Sequence, residues 1–328
     1  MIDLALLNKP INQEMYGKTE EPRRIVLRQD QSPGDILTFT RAVADLKAAY
    51  PHFQIDVDTP CPQIFENNPH LTPLNKFEAG VEYHSIRYDT INESGWRGHH
   101  FADAFRMDVE SKLGVPVPSQ GIRPQLFLSE DEQSWFHLPH CEWGYDGDFW
   151  TLNAGFKSDN LLKAYHRWPE FVALFNEHFQ GDVRLVQMGH SSHNHVPIPG
   201  AFNGIGHVDD LRKLIRLVYW SQGTIGPISC QMVMSQAFQQ PYVAVGAGKE
   251  GPRWQGTNQG TFLDTVGNLT CCVHDGCWKG GQMGECADLI GGVPRCFTLI
   301  ESEDILKAVC RYYDGGRLQL PEKEAVAE

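Results

Sequence analysis

Residues 24–59 read RIVLRQDQSPGDILTFTRAVADLKAAYPHFQIDVDT, and this stretch decides the fold. Arg24 to Arg28 is a short β-like run, and a polar loop from Gln29 to Asp35 follows, broken by Pro33 and Gly34. Ile36, Phe39, Val43, Leu46 and Tyr50 then place one apolar face on a helix, which Pro51 closes. Phe53 to Thr59 alternates apolar and polar residues, as a strand does. Strand, loop, helix, strand is a βαβ unit and predicts an α/β domain.

A second α/β pattern begins near residue 149. Phe149 to Ala154 reads as a strand leading into a loop at Gly155 to Asp159. The pattern predicts a helix from about Leu161 to Phe179, interrupted near Pro169, then a strand at Val183 to Met188 and a polar loop at His190 to His195. Helices are predicted over Val208–Trp220, with Asp209 and Asp210 in the first turn, over Ser229–Phe238, and over about Glu303–Tyr313. Tyr242 to Val245 reads as a strand. Residues 80–125, rich in His, Tyr, Trp, Arg and Gly, read as loops and short elements around a site. The polar stretch Pro139 to Asp148 marks a domain boundary, giving domains 1–145 and 146–328 with a cleft between them.

The totals narrow the function. A chain of 328 residues suits two domains, and 41% hydrophobic content suits packed cores. A net charge of −13 argues against a groove for a nucleic-acid polymer, which needs clustered Lys and Arg. It leaves room for a single nucleotide held by backbone N–H groups at a helix N-terminus. No basic leader with a continuous apolar core and no run of about 18 apolar residues is present, so neither a signal peptide nor a membrane span is expected. Unevenly spread cysteines in a large chain fit a reduced, cytoplasmic setting.

Five of the nine cysteines lie in CCVHDGCWKGGQMGECADLIGGVPRC, residues 271–296. Thiols this dense suggest one tetrahedral ion, with bonds of about 2.3 Å for zinc. Cys277, Cys286 and Cys296 are the expected ligands. Cys272 supplies the fourth, with Cys271 as its alternative and His274 as a fallback. Such a closed site would be structural. Buried thiols without a metal are the plainer reading.

The chain resembles glycosyltransferase family 9, the heptosyltransferases. The resemblance is carried by RIVLR, Pro33-Gly34-Asp35, Val43, Leu46, Tyr50 and Pro51, and by Asn67-Asn68-Pro69. It continues through NAGFKSD (Asn153 to Asp159), VQMG (Val186 to Gly189), GTIGPIS (Gly223 to Ser229) and GAGKE (Gly246 to Glu250) with Pro252 and Trp254. The cysteine segment is similar to a branch with a cysteine-ligated iron, which includes the autotransporter heptosyltransferases and forms large assemblies. The resemblance implies a GT-B architecture, in which two Rossmann-like domains face a cleft. The N-terminal domain would take the acceptor and the C-terminal domain an ADP-sugar donor. A structural iron or zinc and a homo-oligomer are implied, with no catalytic divalent metal. The chain departs from the family at Gly226 to Cys230, where many members carry Asp-Thr-Gly, and at Val233, which aligns with a histidine.

Asp35, at a loop-to-helix junction, is either a general base or an ordinary helix-terminus carboxylate; the resemblance favours the base. Lys157 and Lys249 are candidates to neutralise a departing diphosphate, or else solvated lysines. Asn153, Gln187, Gly189, His190, Ser229 and Glu250 stand at strand ends where a nucleotide-sugar would bind. His193 and His195 extend that loop, with metal binding and plain surface as the other readings. Gly34, His99 and His100 are acceptor candidates, and His84, Trp96 and Arg97 are in the same half. The expected activity is inverting transfer of a sugar to a hydroxyl acceptor, saccharide or protein. The alternative is a degenerate, non-catalytic nucleotide- or sugar-binding metalloprotein. A nicotinamide oxidoreductase is disfavoured, since no GxGxxG follows the first strand.

Overall fold

The computed structural model describes residues 21–88, 99–134, 137–156, 163–272, 276–277, 286–314 and 317–318. The opening βαβ unit forms as read. Strand β1 (Arg24–Arg28) leads into helix α1 (Pro33–Ala49) and then β2 (Gln54–Asp58). Pro33 and Gly34 start the helix, and Ser32 N donates to the Asp35 carboxylate at 3.2 Å, which satisfies an otherwise orphaned N–H. Strand β3 (Val81–Ser85) joins the other side of β1, so the first sheet is parallel in the order β2-β1-β3.

The described part of residues 80–125 is more regular than its composition suggests. Helix α2 (Phe101–Leu113) runs through them and packs on α1. His100 caps it by accepting from Ala102 N at 3.1 Å, and Gly114 ends it in the left-handed conformation. Phe101, Ala104, Phe105, Val109 and Leu113 make its buried face, a helical period interleaved with charged residues.

The second sheet comprises β4 (Asp148–Leu152), β5 (Val183–Gly189), β6 (Phe202–Ile205), β7 (Gly223–Pro227), β8 (Tyr242–Ala247) and β9 (Gly260–Asp264). All its pairings are parallel, in the order β6-β5-β4-β7-β8-β9. Both faces are covered, which explains strands as continuously apolar as β8. Tyr242 and Ala244 enter the core that the sheet shares with the first half of the chain. Val243, Val245 and Ala247 enter a second core on the far face. Helices α3 (Trp168–Phe179) and α6 (Ser302–Cys310) cover that far face, and α4 (Leu211–Trp220) and α5 (Cys230–Ala237) lie on the near one.

Several boundaries differ from the sequence reading. Pro169 opens α3 rather than interrupting a longer helix, because a proline is tolerated in the first turn, where its missing N–H costs nothing. Asp210 is the cap of α4, accepting from Arg212 N at 2.8 Å, so that helix starts at Leu211. Among the described residues no helix is long and apolar enough to cross a membrane.

Candidate functional site

The two sheets point the carboxyl ends of their strands at each other across a cavity of about 670 Å³. Three matched zones line it. Pro60, Cys61 and Gln63, beyond β2, face Val208, Leu211 and Leu214 at the start of α4. Ser32 to Asp35, beyond β1, face Ser229 and Cys230 at the start of α5. Tyr88 and Phe101, beyond β3, face Lys249, Glu250 and Gln255 beyond β8. Loops from β4 and β5 contribute Asn153, Gly155, Phe156, Lys163, Gly189, His190, His193 and His195.

The halves touch in each zone. Arg212 Nη1 donates to Gln63 O at 3.1 Å. A Cβ on Gly34 would lie 3.6 Å from Cys230 N and Cα, so the first turns of α1 and α5 touch. Phe101 and Trp254 lie with ring centroids 5.8 Å apart. Two helix N-termini therefore converge on the central zone, and each carries partial positive charge.

Asp35 stands at that convergence. Its Oδ2 accepts from Ser32 Oγ at 2.6 Å as well as from Ser32 N. Burial raises its proton affinity above the usual carboxylate value; the Ser32 contacts, a hydrogen bond with Tyr88 and the charge of Lys163 offset this in part. The result is a carboxylate with a raised pKa beside an open cavity, the property a general base needs.

Opposite Asp35, a polar network fixes the α5 N-terminus. Asn153 Nδ2 donates to Gln231 Oε1 at 2.8 Å, and Ser229 Oγ donates to the same oxygen at 2.6 Å. Lys163 Nζ donates to Ile228 O at 2.6 Å, which puts an ammonium next to the helix start. Lys, hydroxyl and helix N-terminus together form a cradle for an anion.

His195 fits a slot made by two glycines. A Cβ on Gly189 would stand 1.9 Å from His195 Nε2, and one on Gly155 2.2 Å from Cε1. Burial, with His193 beside it, pushes the imidazole down to about 4, so His195 is a neutral hydrogen-bonding wall rather than a cation. Lys249 and Glu250 are both over nine-tenths buried and pair at 3.9 Å, and Gln255 Nε2 donates to Glu250 Oε2 at 2.9 Å.

The cavity thus gathers Gly34, Asp35, Asn153, Gly189, His190, Ser229, Lys249 and Glu250 from the sequence candidates. Gln187, His99 and His100 do not line it. Gln187 is buried in β5 and pins the following loop, donating to Val196 O and accepting from Ile198 N. His100 is buried as the cap of α2, its imidazole pushed down to about 4 by that burial. His84 pairs with Glu82 at 3.1 Å. Lys157, Trp96, Arg97 and His274 lie outside the described residues. Sequence reasoning missed Lys163, Tyr88 and Gln231. Lys163 had a signal, being a second lysine six positions after Lys157 in sequence. Tyr88 and Gln231 become visible only through contacts across the fold.

The four-thiolate centre is not formed among the described residues, where no group of three or more His, Cys, Asp or Glu could hold a metal ion. Cys272 is buried, and its thiol donates to Thr265 O and Leu269 O at 3.4 Å each. Burial, then the neighbouring Cys296, pushes the Cys277 thiol up to about 12. The segment nevertheless reaches the cleft wall. Cys277 N donates to Gly248 O at 2.9 Å, and a Cβ on Gly276 would lie 2.0 Å from Lys249 O. A Cβ on Gly248 would meet Cys272 Sγ at 3.2 Å.

The sequence matches no protein-family model, and comparison with curated proteins gives no match. Solved structures do match. A glycosyl transferase of family 9 from Veillonella parvula shares 17% identity at a TM-score of 0.59, over 88% of this chain and 96% of that one. The iron-containing dodecameric glycosyltransferase TibC from enterotoxigenic E. coli shares 14% at a TM-score of 0.64, over 89% and 76%. The E. coli ADP-heptose heptosyltransferase II shares 12% at 0.55, over 88% and 98%. At these identities the likeness shows the fold: two parallel α/β sheets arranged as in GT-B glycosyltransferases.

Proposed function

We propose that the chain is an inverting glycosyltransferase, moving a sugar from a nucleoside-diphosphate donor to a hydroxyl acceptor. The carrying observation is that one cavity places the Asp35 carboxylate on one wall and an anion cradle of Lys163, Ser229 and the α5 N-terminus on the other. The acceptor oxygen attacks the anomeric carbon as Asp35 takes its proton. The bond from that carbon to the diphosphate breaks, and the departing charge falls on the cradle. A single displacement inverts the anomeric centre.

An ADP-heptose donor is the specific form of this reading. It is supported by the family resemblance and by a TibC structure in complex with ADP-D-β-D-heptose, which has the same fold at a TM-score of 0.64. The N-terminal half, to about residue 145, would take the acceptor, and Lys157 would join Lys163 at the diphosphate. A structural ion in the 271–296 segment and a homo-oligomer belong to the same reading, supported by TibC being iron-containing and dodecameric. No step runs through a metal.

The test is Asp35→Ala with ADP-heptose and a panel of saccharide and peptide hydroxyl acceptors. Loss of transfer with ADP binding intact is expected. Transfer retained at the wild-type rate would remove Asp35 as the base.

A further inference from the structure

A second cavity, of about 330 Å³, adjoins the cleft at Val208, which lines both. One wall is His137 and the short helix Leu138–Trp143 that it caps, in the stretch that joins the two sheets. The other is α4 with the turn after β6. Aromatic packing fixes both walls. The Trp143 ring stacks on Phe202 of β6 at 4.9 Å, 7° from parallel, and the His137 ring lies 5.4 Å from Phe149 and 6.0 Å from Trp220 of α4. The cavity is therefore formed before any ligand arrives, as small-molecule sites usually are.

Its polar lining is rich in donors, in a chain whose net charge is −13. Lys213 and Arg216 stand three residues apart on α4, the spacing that puts two side chains on one helix face, and both line the cavity. Glu142 is the one carboxylate among the described residues that line it, and it lies 3.6 Å from His207 Nδ1. His137 Nδ1 accepts from His140 N at 3.1 Å, so the neutral ring carries its hydrogen on Nε2, as a donor. Burial disfavours the charge of Arg216; Glu132 supports it, but both Glu132 oxygens also accept from Arg212. Arg216 thus shares that carboxylate with a second guanidinium, and an incoming anion would offset the cost of its burial.

We propose that this cavity is a second ligand site, which takes a phosphate group between Lys213 and Arg216, with His137 as a further donor. A guanidinium offers parallel N–H groups to phosphate oxygens, and an ammonium adds a compact point charge. The volume reaches the lower end of small-molecule pockets, about 300–1,000 Å³, and exceeds what a bare ion needs. The phosphate therefore arrives either free or carried on a sugar. A ligand there would bridge the stretch joining the sheets to α4. Asp35 and Lys163 line the cleft alone, so the site does not depend on which reaction the cleft carries out.

Cys141 is exposed and lines this cavity, so its alkylation by neutral iodoacetamide reports occupancy in the full chain. The rate is followed by mass spectrometry of its peptide, at matched ionic strength, with inorganic phosphate, glucose 6-phosphate or glucose added. Both phosphates should slow it saturably, and glucose should not. Protection at a lower concentration of glucose 6-phosphate identifies a sugar phosphate as the ligand; equal protection identifies the free ion. Arg216→Gln should raise the half-protecting concentration by about 10- to 100-fold, the worth of one charged hydrogen bond. Lys213 is exposed, so Lys213→Gln serves in its place should that variant not fold. No protection by either phosphate, equal protection by glucose, or protection unchanged in the variants overturns the proposal. Lys163→Met, which weakens the cradle in the cleft, should leave the protection as it is; protection lost there would put the phosphate in the cleft and overturn the proposal as well.

Discussion

Arg212 grips Glu132 with two nitrogens, Nε to Oε1 at 2.7 Å and Nη2 to Oε2, and so ties α4 to the first half of the chain. The same guanidinium donates to Gln63 O and Phe127 O. Both side chains are only 10% exposed. Arg212→Ala would strand a buried carboxylate, and breaking such a pair costs about 3–5 kcal/mol. Denaturant unfolding should show that loss. The double variant Arg212→Met, Glu132→Leu should recover much of it, since the stranded charge is gone.

Asp35 should trade stability for function. Its proton affinity is raised in the folded chain above the ordinary value of 3.8. Its contribution to stability is therefore complete below about pH 3.8 and is lost as pH rises through the higher folded value. At neutral pH the ionised carboxylate opposes folding. Asp35→Asn is expected to melt higher than wild type at pH 7, with the gap closing toward pH 3, while transfer falls by about 10²- to 10⁴-fold. Melting curves across that range give the sign directly.

Lys163→Met should weaken ADP binding by about 10- to 100-fold, the worth of one charged hydrogen bond to a diphosphate. Calorimetric titration with ADP measures it. Lys163→Arg should fall between the two, because the charge remains but its contact with Ile228 O must be remade.

Gly189→Ala should displace His195. The added carbon would sit 1.9 Å from Nε2, and overpacking of that kind costs about 1–3 kcal/mol. Adding His195→Ala should restore the loss, so the two changes must be strongly non-additive in unfolding experiments.

Cysteine alkylation should be ordered by exposure and proton affinity. Cys141 is exposed and should react first at pH 8; Cys271 is exposed too, but burial pushes its thiol up, so it should follow, and Cys277, pushed up to about 12 by burial and then by Cys296, should lag. Elemental analysis of the purified chain decides whether iron or zinc is present. If it is, chelation should lower the melting temperature and speed labelling of the segment.

Much of the site was legible because strand-end loops are local features. Gly34, Asp35, Asn153, Gly189 and Ser229 could be placed from a run of apolar residues ending in a polar turn, and the sheets bring them together. Gln187 was misleading for a physical reason: inside a buried strand, an amide side chain must satisfy nearby backbone groups, here those of Val196 and Ile198. His100 likewise carries a capping task that its composition-rich surroundings concealed. Tyr88 could not be found from the chain, since its place in the cavity comes from packing on Phe101, distant in sequence. The cysteine segment looked remote from the cleft, yet Cys277 bonds the loop that carries Lys249.

The meeting of α1 and α5 at Gly34 and Cys230 has a mechanical consequence. The two helix N-termini brought together there carry like-signed partial charge, and each helix belongs mainly to a different half of the molecule. With the cleft empty, that repulsion favours parting. A diphosphate lodged between the two ends would act as a keystone, turning the repelling faces into a load-carrying joint. A bound diphosphate would then be part of the architecture as well as the cargo.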